Sequence, residues 1–142
     1  FYSEVKDLIG EDNLFLNVGK SNDGSSSPAC EKELVKYYQD SAIFLNTANR
    51  SVLPTSLLEA MSVGMPVITT SNETICNLIK SGENGFIAET PKDAFDFISQ
   101  LMESKDLRFK IGNNARDTIK KYYDIECFVD KWKTLYTEIL ND

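Results

Sequence analysis

Glu59 is the residue of this sequence best placed to bind a ligand. An apolar run at 42–45 predicts a buried strand, and a polar loop at 46–54 leaves its carboxyl end, the edge where open α/β sheets bind ligands. The helix predicted to begin near Thr55 has unpaired N–H groups at its start, which attract an anion such as a diphosphate. Glu59 lies one turn further on, where its carboxylate can accept hydrogen bonds from paired hydroxyls such as those of a ribose.

The same residues also fit a purely structural role. Ser56 and Glu59 have the spacing of a capping box, in which a hydroxyl and a carboxylate three residues later each accept a hydrogen bond from the other's backbone N–H. Thr55 or Ser56 could equally act as a plain N-cap. Spacing alone therefore leaves both a cap and a ligand site open at this helix start.

Short apolar runs alternate with segments of helical periodicity, which predicts a largely parallel sheet covered by helices. Gly64 suits a left-handed cap that ends the helix containing Glu59, and Pro66 returns the chain to a strand. Pro91 has the position of a first helical residue, and after it three apolar stripes predict terminal helices, the last including Trp132 and Tyr136. We interpret that last stripe as core or as an interface with a second domain. The predicted strands are 14–18, 42–45, 66–69 and 85–88, and the predicted helices before Pro91 are 5–9, 34–38, 55–63 and 75–79.

Composition removes several classes of function. The 142 residues, 42% of them hydrophobic, suffice for one domain with a core, and a net charge of −7 argues against binding nucleic acid or anionic lipid. The absence of histidine excludes an imidazole base or a His-ligated metal within this chain. Three widely separated cysteines suit a reducing compartment, and no apolar run reaches the roughly 18 residues of a membrane span. We expect a cytoplasmic protein.

The segments LLEAMSVGMPVI at 57–68 and NLIKSGENGF at 77–86 closely resemble the carboxyl-terminal domain of family four glycosyltransferases. The resemblance covers roughly residues 31 to 140 and includes NNAR at 113–116 and Tyr136. It implies a Rossmann-like parallel sheet with helices on both faces that ends in several helices, the carboxyl-terminal half of a GT-B fold. Residues 1–142 would form a single donor-binding domain. Because the chain begins in a helix, we expect at least one β-α unit, and the acceptor domain, to lie upstream.

The resemblance also assigns roles around Glu59. Two glutamates with seven residues between them flank this loop in the family, the first reaching the donor sugar and the second the nucleotide ribose. Glu59 matches the second, and Ser51 occupies the position of the first. Ser51 can make a hydrogen bond to the sugar but supplies no negative charge, so it is the uncertain catalytic candidate. Without the resemblance, Ser51 is a loop hydroxyl.

The remaining donor-binding candidates follow from the same match. The family's glycine-rich stretch corresponds here to four residues, of which Pro54 has no N–H to offer a diphosphate. Leu58 would pack against ribose or base, although a helix leucine is also typical core. Gly19 could line the base pocket with Lys20, or form an ordinary turn. The matching stretch is Leu53, Pro54, Thr55 and Ser56.

The family's cationic pair, which neutralises the leaving diphosphate, has no match, and Arg50 and Lys20 are its nearest candidates by position. The resemblance implies a retaining glycosyltransferase that uses a nucleotide-diphosphate sugar as co-substrate, without a metal or other cofactor. The acceptor would be a glycan or a lipid-linked molecule, bound through the missing amino-terminal domain, which would also make any contact with the inner face of a membrane. A non-catalytic module that binds a nucleotide or nucleotide sugar is the alternative.

Overall fold

A computed structural model describes residues 1–10, 31–48 and 53–141 of the chain. The predicted strand at 14–18 and the candidates Gly19, Lys20, Arg50 and Ser51 lie outside the described residues. From residue 31 to residue 88, helices and strands alternate among the described residues, and only helices follow, as predicted. The elements are α1 (Tyr2–Ile9), α2 (Glu31–Asp40), β1 (Phe44–Asn46), α3 (Thr55–Ser62), β2 (Val67–Thr70), α4 (Glu73–Leu78), β3 (Phe86–Ala88), α5 (Pro91–Glu103), α6 (Lys105–Tyr123) and α7 (Ile125–Asn141).

The described strands form a parallel sheet in the order β1-β2-β3. Phe44 pairs with Val67 across β1 and β2, and Ile68 pairs with Phe86 across β2 and β3. All four residues of the central strand β2 are buried. This burial explains why the neighbours Val67 and Ile68 are both apolar, although they point to opposite faces of the sheet.

Two hydrophobic cores cover the two faces of the sheet, so the prediction of helices on both faces is confirmed. Successive residues of a strand point to opposite faces, and Val67 accordingly enters one core while Ile68 enters the other. We call these the α3-side core and the α5-side core after the helices that dominate them. The buried α3-side residues are Leu57, Ala60, Met61, Met65, Val67, Ile75, Leu78, Ile79 and Ala115, and those of the α5-side core are Val5, Ile68, Phe86, Ala88, Ala94, Leu101 and Ile111.

Helix α3 ends at the predicted glycine. Gly64 has a φ of +81°, and its N–H donates to the Met61 carbonyl oxygen at 3.0 Å. The N–H of Met65 donates to the Ala60 carbonyl oxygen, also at 3.0 Å. This pair of hydrogen bonds is the Schellman motif, and it turns the chain through Pro66 into β2.

Helix α6 packs closely against this turn. A Cβ atom added at Gly112 would overlap the carbonyl oxygen of Gly64 and lie 2.9 Å from its carbonyl carbon. The absence of a side chain at Gly112 therefore lets two backbone segments, far apart in sequence, come into direct contact. This contact fixes the carboxyl-terminal end of α3 against α6.

The turn before β3 is also bound to α6. The buried side chain of Asn84 accepts a hydrogen bond from the Lys80 N–H at 2.7 Å and donates to the Leu78 carbonyl oxygen at 3.1 Å. Its amide also donates to the Thr118 hydroxyl of α6 at 3.0 Å. Asn84 thus supplies hydrogen-bond partners to the backbone at the end of α4 and ties it to α6, more than thirty residues away.

The terminal helices follow the prediction in position but not in burial. Pro91 occupies the start of α5, as predicted, behind a capping box formed by Thr90 and Asp93. Helix α7 has no buried residue among those described, and Trp132 is 43% exposed. The interpretation of its stripe as core is therefore wrong, since periodicity shows that a helix has an apolar side without showing what covers it. Its role as an interface stays a prediction.

Candidate functional site

The carboxyl ends of β1 and β2 are joined by polar side chains. Asn46 is buried, and its Nδ2 donates to the Thr69 hydroxyl at 2.9 Å while its Oδ1 accepts from the Ala48 N–H at 3.3 Å. The Thr70 hydroxyl donates to the Ala48 carbonyl oxygen at 3.1 Å. These bonds hold the chain that leaves β1 across the end of β2. The loop that leads to α3 therefore starts at a fixed place on the ligand-binding edge of the sheet.

The start of α3 is set by its proline. Pro54 is the N-cap, in an extended conformation with φ of −65° and ψ of 129°. Its carbonyl oxygen accepts hydrogen bonds from the Leu57 N–H at 3.1 Å and the Leu58 N–H at 3.4 Å. The amides of Thr55 and Ser56 come before these first intrahelical bonds, at the positions whose N–H groups lack an intrahelical acceptor. This is the arrangement that helix starts offer to an anion.

The capping box proposed for Ser56 and Glu59 is wrong. With Pro54 as N-cap, Ser56 is already the second helical residue, and no side chain makes a cap hydrogen bond at this helix start. The same register excludes Thr55 or Ser56 as a plain N-cap. A capping box needs a hydroxyl at the N-cap, and proline has none to offer. The carboxylate of Glu59 therefore does not cap the start of α3.

We expect Ser56→Ala to change the free energy of unfolding by less than about 0.5 kcal/mol, because no cap is lost. Thr90→Ala is the matched comparison, since Thr90 does form a capping box, and we expect it to cost about 1 kcal/mol. Urea denaturation followed by circular dichroism measures both. Equal losses for the two variants would contradict the assignment of Pro54 as the N-cap.

The Glu59 carboxylate has one partner from a different element among the described residues. Its Oε2 accepts a hydrogen bond at 2.9 Å from the hydroxyl of Tyr38, which lies on α2. The same hydroxyl is 3.4 Å from the Ser56 carbonyl oxygen in the first turn of α3. Glu59 is otherwise exposed, so the rest of its carboxylate faces solvent beside the start of α3.

Tyr38 is a stable donor in this contact. Its half-buried position raises the pKa of the Tyr38 hydroxyl, and the hydrogen bond to Glu59 raises it further. A tyrosine hydroxyl ordinarily loses its proton near pH 10, so the raised pKa keeps the proton on Tyr38 throughout the neutral range. Tyr38 therefore keeps a proton to donate to Glu59 at neutral pH.

The other donor-binding candidates that the structure describes lie either against the core or at the open start of α3. Leu53 and Leu58 are partly buried and pack against the α3-side core, which agrees with the core interpretation of Leu58 and leaves only part of each side chain for a ligand. Thr55 is exposed and Ser56 partly exposed, both at the open end of the helix. Ser51 and Gly19 lie outside the described residues, so their roles in sugar and base binding stay predictions.

Two residues of this region were not identified from the sequence. Tyr38 lies on the apolar stripe of α2, and a tyrosine in such a position brings a hydroxyl that needs a partner at the edge of a core. The position of Tyr38 on that stripe thus predicts a hydrogen-bond partner for its hydroxyl. Asn46, at the end of a buried strand, gave a similar signal because a buried amide must be hydrogen-bonded.

Metal ligands do not converge in the part of the chain that the structure describes. Among residues 1–10, 31–48 and 53–141, no group of three acidic or cysteine side chains could hold a metal ion. Cys76 and Cys127 are free cysteines far apart in sequence. The expectation of a reaction without metal or other cofactor is not tested by this geometry and stays a prediction.

Residues 11–118 match the family model described as glycosyl transferases group 1. The chain is 28% identical over 118 residues to the Staphylococcus aureus capsular polysaccharide biosynthesis glycosyltransferase CapM, covering 77% of this chain and 31% of CapM. It is 31% identical over 88 residues to the Bacillus anthracis N-acetyl-alpha-D-glucosaminyl L-malate synthase, covering 61% of this chain and 23% of the synthase. The chain thus spans less than a third of the length of either relative.

Solved structures have a similar fold. The C-terminal domain of the Francisella tularensis glycosyl transferase group 1 family protein LpcC superimposes with a TM-score of 0.62 and 25% identity, over 68% of this chain and 51% of that one. Anabaena HepE, crystallised with UDP and glucose, superimposes with a TM-score of 0.63 and 20% identity, over 74% of this chain and 30% of HepE. The fold is that of the carboxyl-terminal part of GT-B proteins.

Proposed function

Because the chain belongs to the glycosyl transferases group 1 family, we propose that it is the donor-binding part of a retaining glycosyltransferase. The enzyme transfers a sugar from a nucleotide-diphosphate sugar to a glycan or lipid-linked acceptor. In that transfer, the bond between the anomeric carbon and the diphosphate oxygen breaks, and the nucleoside diphosphate leaves. The acceptor oxygen forms the new bond on the same face of the sugar, and its proton passes to the departing diphosphate. Residues 1–142 act as one domain in this function.

The position of Glu59 is the observation that carries the proposal. Its carboxylate is exposed, makes no cap hydrogen bond and lies near the first turn of α3, because the Tyr38 hydroxyl that it accepts from is 3.4 Å from the Ser56 carbonyl oxygen. A diphosphate at the amides of Thr55 and Ser56 and a ribose at Glu59 are adjacent parts of one nucleotide. A carboxylate that accepts from two neighbouring hydroxyls suits the ribose diol, while the helix start suits the negative charge.

Catalysis in this proposal depends on position and charge. Without histidine in the sequence, the chain provides no imidazole base, so its contribution is to hold the donor and to stabilise the leaving diphosphate. The Thr55 and Ser56 amides, supplemented by a hydroxyl of either residue, carry that second role. No metal or other cofactor takes part.

Calorimetric titration of the 142-residue chain with UDP, GDP and ADP tests the donor site. We expect weak binding of at least one nucleoside diphosphate, and no transfer activity from this chain alone. Glu59→Gln keeps the size of the side chain but removes its charge. We expect it to weaken that binding by about tenfold, the typical effect of losing a hydrogen bond to a charged group.

Glu103→Gln is the control, because Glu103 is an exposed carboxylate at the end of α5, on the other side of the sheet. It should leave binding unchanged. The free energy of unfolding should change by less than about 1 kcal/mol in both variants, since both carboxylates are exposed and neither forms a helix cap. Absence of binding to all three nucleotides would contradict the donor site, as would equal binding by the Glu59 and Glu103 variants.

A non-catalytic nucleotide or nucleotide-sugar binding module is the second candidate. The observation that favours it is Ser51, which has no charge where the family has a glutamate. Transfer activity in a protein that joins this chain to an acceptor domain separates the two candidates. Transfer activity that is present in that protein and falls with Glu59→Gln would exclude the non-catalytic module.

The expected location follows from the sequence alone. None of the helices in the described ranges is long and apolar enough to cross a membrane. We propose a cytoplasmic protein that does not bind nucleic acid, in keeping with the net charge of −7. We propose that a lipid-linked acceptor is contacted through an acceptor domain and not through residues 1–142.

A further inference from the structure

Tyr38 is held in place by its ring and not only by its hydroxyl. The ring packs against the α3-side core and lies beside Phe44 of β1, with ring centroids 6.3 Å apart at an angle of 48°. Helix α2 carries the residue, yet its hydroxyl reaches α3, where it meets Glu59 Oε2 at 2.9 Å. The position of the hydroxyl is thus set by a strand and two helices before any ligand binds.

Glu59 lacks such support of its own. Its side chain is exposed on α3, and a free glutamate samples many rotamers in solution. A hydrogen bond from a packed tyrosine to one carboxylate oxygen restricts that freedom. The second oxygen, and the remaining lone pair of the first, stay available to accept from a ligand.

We propose that Tyr38 is a positioning residue, which holds the Glu59 carboxylate in the orientation that accepts hydrogen bonds from the ribose diol of the donor nucleotide. The inference rests on the proposed function. It adds that part of the affinity comes from a residue that does not touch the nucleotide, because ordering a binding group in advance removes the loss of rotamer freedom from the binding step.

The protonation state and the second contact of the Tyr38 hydroxyl suit this role. The raised pKa of the Tyr38 hydroxyl keeps it protonated at neutral pH, so it can donate to the Glu59 carboxylate. The second contact of the hydroxyl, with the Ser56 carbonyl oxygen at 3.4 Å, directs it toward the first turn of α3. Tyr38 therefore lies behind the carboxylate, on the side of α2.

Tyr38→Phe tests the inference, and Tyr37→Phe is its matched control. The hydroxyl of Tyr37 donates to Glu33, one turn away on the same helix, at 3.2 Å. The probes are the nucleoside diphosphate that the unaltered chain binds most tightly among UDP, GDP and ADP, and its 2′,3′-dideoxy counterpart, which lacks the diol. Affinities are measured by calorimetry at neutral pH.

We expect Tyr38→Phe to weaken binding of the ribonucleotide about three- to tenfold, while binding of the dideoxynucleotide changes less than about twofold. The preference for ribose over dideoxyribose therefore falls. A merely structural role of Tyr38 would weaken both probes alike and leave that ratio unchanged. Tyr37→Phe should change neither affinity.

A double variant locates the effect. If Tyr38 acts through Glu59, adding Tyr38→Phe to Glu59→Gln should weaken ribonucleotide binding by less than about a further twofold. Additive losses in the double variant would overturn the inference, and so would a Tyr38→Phe variant that behaves like Tyr37→Phe while Glu59→Gln still weakens binding. If the unaltered chain binds none of the nucleotides, the proposed function fails and this inference fails with it.

Discussion

Gly112→Ala is expected to lower the free energy of unfolding by about 3 kcal/mol. The added Cβ would overlap the backbone carbonyl oxygen of Gly64, which cannot rotate away as a side chain does. Alanine is otherwise preferred to glycine inside a helix by about 1 kcal/mol. A loss of stability at this position therefore reports the close approach of α6 to the end of α3. Urea denaturation measures it.

Two controls separate close packing from other effects. Gly64→Ala tests backbone conformation alone, since Gly64 has a φ of +81° but its nearest Cβ neighbour would be 3.7 Å away. We expect it to cost about 1–2 kcal/mol. Asn113→Ala, at an exposed position of the same helix as Gly112, should be neutral or slightly stabilising. A Gly112→Ala variant as stable as Asn113→Ala would show that α6 does not pack on Gly64 in this way.

Asn84→Ala is expected to destabilise the chain by about 2–4 kcal/mol. The change leaves the Lys80 N–H and the Leu78 carbonyl oxygen without their partner at the end of α4, and it removes the bond to Thr118 of α6. Unsatisfied buried groups each cost about 1–3 kcal/mol, and Asn84 is only 6% exposed. Thermal and urea denaturation should agree on the loss.

Asn77→Ala is the matched control, because Asn77 belongs to the same sequence segment but is exposed on α4. We expect it to change the free energy of unfolding by less than about 0.5 kcal/mol. Asn84→Asp should be at least as damaging as Asn84→Ala, since it keeps the acceptor for Lys80 but points a carboxylate at the Leu78 carbonyl oxygen. Similar stabilities for the Asn84→Ala and Asn77→Ala variants would contradict a structural role of Asn84.

Much of this fold could be predicted because its strands are buried. The apolar runs at 42–45, 66–69 and 85–88 differ from β1, β2 and β3 by at most two residues at either end. Gly64 and Pro66 marked the end of α3 by backbone geometry that few other residues satisfy. Signals of this kind are local, since they depend on a residue's own conformational limits or on the burial of a short run.

The candidate site was less predictable because its contacts join distant segments. Glu59 could be identified as exposed and chemically useful, but spacing made Ser56 its partner, whereas the structure gives it Tyr38 from the preceding helix. The start of α3 at Thr55 was predicted, but its N-cap is Pro54 and not one of the two hydroxyl residues that follow it. The apolar stripe of α7 shows the same limit, because what covers a helix face is not encoded within the helix.

The sharing of β2 between two cores has a consequence for how the chain unfolds. Val67 and Ile68 are neighbours in sequence, yet each is completely buried on a different face of the sheet. Removing either layer of helices would expose one side of the central strand to water. An intermediate that keeps only one of the two layers is therefore not stable. The two cores should therefore melt together in one cooperative transition, while α7, which buries no side chain among those described, can fray without disturbing it.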